Sequence, residues 1–122
     1  MKINLSTLPQ ATPQGVFDQA VTHLLTQRSP SLDENGGCTY HGMDGKTCPG
    51  GCFITPEQLR SLPDGAIKLT WAQLQRRGYV PKEHAVLLNK LQEIHDTLDP
   101  DDWEDACRYL ASEFHLLQVI VQ

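Results

Sequence analysis

The chain of 122 residues has a formal net charge of −5, with 39% hydrophobic and 20% charged residues. That length suits one domain with one core, and the apolar fraction is too high for a disordered chain. Ten basic residues against fifteen acidic ones argue against a general nucleic-acid binder, which needs a basic surface. No apolar run approaches the roughly 20 residues of a membrane span, and residues 1–6 lack a signal-peptide hydrophobic region. We therefore expect a soluble, cytoplasmic protein.

Most of the predicted elements are helices. A threonine followed by proline, as at Thr12-Pro13 and Thr55-Pro56, is typical of a helix start, and Thr70 offers a third capping side chain. Apolar residues then recur at helical spacing, most clearly on the face that ends at Leu98. Together these signals predict helices over about 13–27, 56–61, 71–77, 81–97 and 100–115.

The segment between the first two helices is rich in cysteine and glycine. The Asp44-Gly45 pair is a hairpin turn signal, and it predicts a small β-hairpin over about 38–54. Residues 2–5 and 116–121 are candidates for short terminal strands, although 116–121 fit a continuing helix equally well. The expected fold is mainly α (α+β), with four or five helices on one core, a Cys/Gly-rich β-hairpin insert and a single domain over 1–122.

Three thiols and one imidazole of this insert are candidate metal ligands. Cys38, His41, Cys48 and Cys52 follow the pattern Cys-x2-His-x6-Cys-x3-Cys, and three Cys with one His suit tetrahedral zinc. The alternative is that the cysteines are small apolar core residues, since free Cys is among the most buried residue types. A nucleophilic cysteine assisted by a histidine is a third alternative, although no motif of a known cysteine enzyme surrounds these thiols.

Hairpin register bears on the metal hypothesis because side chains alternate across a strand. A two-residue turn at Asp44-Gly45 places His41 opposite Cys48 and turns Cys38 to the other face. A three-residue turn over residues 43–45 places Cys38 and Cys48 on one face and turns His41 away. Convergence of all four residues therefore requires an irregular loop.

The remaining histidines have simpler interpretations. His84 and His95 are predicted on one helix about 16 Å apart, too far to share a metal, so each is expected at the edge of the core. His95-Asp96 is also the dyad of metal-dependent phosphohydrolases, but the further His and Asp motifs of those enzymes are absent.

Acidic residues concentrate near the C-terminus. Seven acids and no basic residue lie between Glu93 and Asp105. Asp99, Asp101 and Asp102 are explained by helix capping and the helix dipole. The group could also steer a basic partner surface, and its candidate partner-binding residues are Glu93, Asp96, Asp101, Asp102, Glu104 and Asp105.

Several motifs taken together resemble a known family. They are Val16-Phe17-Asp18, Cys38-x-Tyr40, Lys46-x-Cys48-x-x-Gly51-Cys52-x-Ile54 and Leu91-Gln92-x-Ile94-His95-Asp96. This pattern, over roughly 13–116, resembles small proteins of tailed bacteriophages and prophages. The resemblance implies a phage or prophage origin and the cytoplasm of a bacterial host, and it transfers no activity. Small phage accessory proteins frequently bind and inhibit host proteins, including defence systems.

The sequence therefore favours a non-enzymatic phage accessory protein that binds a host or phage protein, without a cofactor. The alternative from another class is a small zinc-stabilised module in transcription or nucleic-acid handling, with the four insert residues as ligands. A cysteine-dependent enzyme is the third alternative. The oligomeric state is left open, because an exposed C-terminal segment could pair within the chain or between chains.

Overall fold

The computed structural model describes residues 2–119, and within that range the fold is mainly α, as expected. Its five α-helices are α1 (Pro13–Gln27), α2 (Pro56–Arg60), α3 (Trp71–Arg76), α4 (Ala85–Thr97) and α5 (Trp103–Glu113). A short 3₁₀ helix, Leu8–Gln10, precedes α1, and four more lie between the α-helices, at Met43–Gly45, Gly51–Phe53, Ala66–Lys68 and Pro100–Asp102. None of the described helices is both long and apolar enough to cross a membrane.

Local capping sets the starts of three helices, as the sequence predicts. The Thr12 side chain accepts a hydrogen bond from the Gly15 N–H, and Pro13 occupies the first turn of α1. Thr55 and Thr70 each form a full capping box at the starts of α2 and α3. These caps satisfy amide groups that have no partner within the helix.

The core lies where α4 packs against α1, α3 and α5, and where α1 packs against α5. Trp71 of α3 and Trp103 of α5 are almost fully buried, together with Phe17 of α1. Cys107 is also buried in this core. The two tryptophans therefore belong to the packing between helices, where large aromatic side chains bury the most apolar surface.

Two helix boundaries differ from the prediction. The helix predicted over 81–97 begins at Ala85, because His84 adopts a left-handed φ of 63°. His84 and His95 therefore do not lie on one continuous helix. The element predicted over 100–115 is a 3₁₀ turn followed by α5, which ends at Glu113 before His115 reverses to a φ of 56°.

The predicted β-hairpin over 38–54 is wrong. Among the described residues no strand forms, and the insert contributes two isolated antiparallel bridges, Leu32 to Cys38 and His41 to Thr47. The second bridge has the register of the three-residue turn, but the 3₁₀ helix Gly51–Phe53 ends the pairing on one side. Cys38 ends it on the other, because it pairs back with Leu32 instead of continuing the ladder.

Close backbone packing explains the glycines of this irregular segment. A Cβ at Gly51 would lie 2.0 Å from the Tyr40 carbonyl oxygen, and one at Gly42 would lie 2.7 Å from the Leu32 backbone nitrogen. Both distances are shorter than carbon and backbone atoms can approach. Glycine is therefore required at these positions for steric reasons.

The terminal segments do not form the expected strands. The side-chain amide of Gln19 bonds both the N–H and the carbonyl of Ile3, at 2.7 and 2.8 Å. Gln14 bonds the Leu117 backbone in the same way, at 2.8 and 3.0 Å. Because α1 occupies the backbone groups of both segments, residues 2–5 and 116–119 are irregular. The rest of the predicted segment 116–121 lies outside the described residues.

Candidate functional site

The structure does not bring the four predicted zinc ligands together. Cys48 is fully buried, and its Sγ accepts a hydrogen bond from the Gly51 N–H at 3.3 Å. The Cys52 thiol donates to the Pro49 carbonyl at 3.1 Å. Burial raises the pKa of both thiols to about 12. In this arrangement the sulfur of each residue is hydrogen-bonded to the backbone of its own segment.

His41 and Cys38 point to other partners. The His41 Nε2 lies 3.1 Å from the Gly51 carbonyl oxygen and 2.8 Å from that of Ile54. Carbonyls only accept hydrogen bonds, so this nitrogen carries a proton and is not free to bind a metal. Cys38 is exposed at the other end of the segment. Within residues 2–119, no three of the four predicted ligands come within 4.8 Å of one another.

A different group of three is assembled at the edge of a cavity of about 370 Å³. Ligand atoms of Cys38, His95 and Asp96 lie within 4.8 Å of one another. Cys38 comes from the irregular segment, whereas His95 and Asp96 are consecutive residues of α4. The cavity is further lined by Trp71 of α3 and by Lys68. This cluster pairs Cys38 with the His95-Asp96 dyad, a combination that the spacing of the cysteines does not predict.

The hydrogen bonds of His95 show that this cluster is not a metal centre as arranged. The imidazole is buried, and its Nε2 accepts the Ser31 backbone N–H at 2.9 Å. Because a backbone amide only donates, Nε2 is unprotonated, and Nδ1 carries the proton that it shares with Asp96 Oδ1 at 2.6 Å. A metal at Nδ1 would therefore require an imidazolate. Cys38 and Asp96 remain, which is too few for a protein zinc site.

The same cluster also lacks the features of a nucleophilic cysteine. Burial and the neighbouring Asp96 carboxylate raise the pKa of the Cys38 thiol, whereas a nucleophilic cysteine needs a lowered pKa. His95 cannot take the thiol proton, because one nitrogen is already protonated and the other accepts from Ser31. His95 therefore does not act as a general base for this thiol in the arrangement observed.

Polar side chains of α1 and α4, buried or partly buried, instead hold the irregular segment in place. His95 accepts from Ser31, and the Gln92 Oε1 accepts the Gly50 N–H at 3.0 Å. On the opposite side His23 Nε2 donates to the Thr47 carbonyl at 2.7 Å, and Gln27 bonds both the N–H and the carbonyl of Thr47. Since buried backbone groups must find partners, these side chains replace the ladder that a hairpin would supply. Sequence spacing gives no signal for such pairings.

The predicted partner-binding acids are divided among three surfaces. Asp96 faces the cavity and is held by His95 and by the Gln92 amide at 3.0 Å. Glu104 faces the end of α1, where it pairs with Arg28 at 3.8 Å. The remaining candidates, Glu93, Asp101, Asp102 and Asp105, are exposed at the α4–α5 end of the molecule.

An apolar groove of about 290 Å³ lies between α4 and α5, next to these acids. Tyr109 is 76% exposed and Leu98 is 40% exposed on its walls, while Ile94 and Leu110 lie at its base. Polar groups at its rim are Lys90, Glu93, Thr97 and Glu113. Large exposed apolar side chains with a polar rim are typical of interaction surfaces.

No protein-family model, curated protein or solved structure matches the chain.

Proposed function

We propose that this protein is a non-enzymatic accessory protein of phage or prophage origin that binds a host or phage protein. The phage origin rests on the motif resemblance, and the binding function rests on the distribution of charge. The segment from Lys90 to Glu113 contains eight of the fifteen acidic residues and only two of the ten basic ones. The rest of the chain is nearly neutral, so the negative charge belongs to α4, α5 and the turn between them.

Three of these eight acids pair with an arginine or a lysine. Arg28 and Arg108 approach Glu104 at 3.8 and 3.6 Å, Arg108 also approaches Asp105 at 3.9 Å, and Lys90 approaches Glu113 at 3.5 Å, all at the surface. Such exposed pairs contribute little to stability. A concentration of like charge destabilises the folded protein through repulsion among the acids. We infer that these acids attract a basic surface of the partner.

Capture from bacterial lysate tests the proposal with two variants of equal charge. The first reverses Asp101, Asp102 and Glu104 to lysine, and the control reverses Glu34, Glu57 and Asp64. We expect the wild type and the control to retain a common partner that the first variant loses. Recovery of no specific partner, or equal retention by both variants, would contradict the proposal.

A further inference from the structure

We infer that the groove between α4 and α5 binds a basic amphipathic helix of the partner. This inference rests on the proposed binding function and adds the chemistry of the partner segment. It concerns an apolar surface, whereas the charge reversals at Asp101, Asp102 and Glu104 change acids that do not line the groove. The proposed binding function and the groove inference can therefore be supported or contradicted separately.

The shape of the groove fits a third helix. Its two walls are neighbouring helices that pack against each other, joined by the short turn 98–102. A helix placed between two others fits its side-chain ridges into the groove that they form. Tyr109 and Leu98 stand at the surface, where apolar side chains of a partner can cover them. Because α4 and α5 have 13 and 11 residues, a partner helix of about 11–14 residues matches their length.

Apolar surface continues along α4 beyond the groove itself. Val86 is 62% exposed and lies one helical turn before Lys90, on the side of the helix that leads into the groove. Residues four apart share a helix face. A partner helix with apolar residues at i, i+3 or i+4, and i+7 would therefore meet Leu98 and Tyr109, and a further apolar residue near i+11 would reach Val86.

The charge around the groove indicates which kind of molecule can bind there. Glu93 lines it and Glu113 pairs with Lys90 at its rim. Asp105 lies one turn before Tyr109 on α5, and Asp102 ends the 3₁₀ helix that precedes α5. A second copy of this chain would bring the same acidic rim against this one, and like charges oppose association. A nucleic acid is excluded for the same reason. The complementary occupant has lysine or arginine flanking an apolar stripe.

The test uses three dye-labelled synthetic peptides of about 14 residues and measures binding by fluorescence anisotropy near physiological salt. The first has leucine at i, i+3, i+4 and i+7 with lysine elsewhere, the second replaces lysine by glutamate, and the third shuffles the first so that no apolar face forms. We expect the first to bind at least about tenfold more tightly than either of the others.

Matched double variants locate the binding site. Tyr109→Ser with Glu93→Lys alters the groove, whereas Leu117→Ser with Glu34→Lys changes an exposed apolar residue and the same charge elsewhere. All four positions are exposed, so circular dichroism and thermal unfolding should be close to wild type for both. We expect the groove variant to weaken binding of the first peptide at least about tenfold and the control less than about twofold.

Three results would overturn the inference: no binding of the first peptide, equal binding of the shuffled peptide, or equal weakening by both variants. Partner capture that requires the acids but tolerates Tyr109→Ser with Glu93→Lys would leave the proposed function intact and remove the groove from it. Capture that is lost with both the acid and the groove variants, together with peptide binding as expected, supports both.

Discussion

Replacing His95 tests the hydrogen bond that joins the irregular segment to α4, together with a second bond, to Asp96, within α4. His95→Ala removes the acceptor of the buried Ser31 N–H and the donor to Asp96 Oδ1. It also opens a space beside Trp103, whose ring stacks on the imidazole at 5.6 Å. An orphaned buried amide costs about 1–3 kcal/mol, and lost packing adds about 1 kcal/mol. We expect the free energy of unfolding to fall by about 2–4 kcal/mol.

Two conservative variants separate the contributions of the two hydrogen bonds to that loss of stability. In His95→Gln the side-chain oxygen can replace Nε2 and accept from Ser31, but no donor reaches Asp96. In His95→Asn the side-chain nitrogen can replace Nδ1 and donate to Asp96, but Ser31 loses its acceptor. The Ser31 amide is fully buried, whereas Asp96 has access to solvent, so His95→Asn should be the less stable of the two.

Urea unfolding followed by circular dichroism measures these differences. His115→Gln is the control, because His115 is exposed and its replacement should change stability by less than about 0.5 kcal/mol. A loss for His95→Ala no larger than that of the control, or a less stable His95→Gln than His95→Asn, would refute the proposed tautomer and the role of His95.

The other predictions concern steric fit, pH, thiols and metal. Gly51→Ala should lower the free energy of unfolding by more than about 2 kcal/mol, since its Cβ would meet the Tyr40 carbonyl. Gly37→Ala should lower it far less, because the Cβ there would face only a movable side chain. Thermal unfolding of the two variants measures the difference. Burial lowers the pKa of His23 in the folded protein from its usual 6.5. As the pH drops below 6.5, the unfolded chain therefore takes up a proton before the folded protein does, and the free energy of unfolding should fall. In urea titrations the His23→Gln variant should show a smaller dependence of this free energy on pH. Cys38 is exposed, Cys52 is partly buried with its thiol bonded to the Pro49 carbonyl, and Cys48 and Cys107 are buried. Cys38 should therefore label first with a maleimide in the folded protein, as mass spectrometry would show. EDTA should leave the melting temperature unchanged, and a fall in that temperature would contradict our assignment of His41 and His95 to hydrogen bonds.

Much of the helical fold is readable from short-range signals. Thr12, Thr55 and Thr70 cap the helices that they were expected to begin, because capping depends only on residues three positions away. The apolar stripes of α1 and α4 likewise identify the core face from spacing alone. The start of α4 at Ala85 was missed because Pro81 favours a helix start but does not require one, and His84 takes a left-handed conformation that the sequence does not announce.

The irregular segment, and the cluster of Cys38, His95 and Asp96 beside it, depend on contacts between residues far apart in the sequence. The spacing of residues along the chain does not reveal such contacts. Ser31 meets His95 from 64 positions away, and Gly50 meets Gln92 from 42 positions away. The sequence by itself determined the helices, the local caps and the concentration of acids, since each depends on neighbours along the chain. Only the tertiary structure decided that histidines and glutamines hold the cysteine-rich segment, because a buried backbone group takes the partner that packing places beside it.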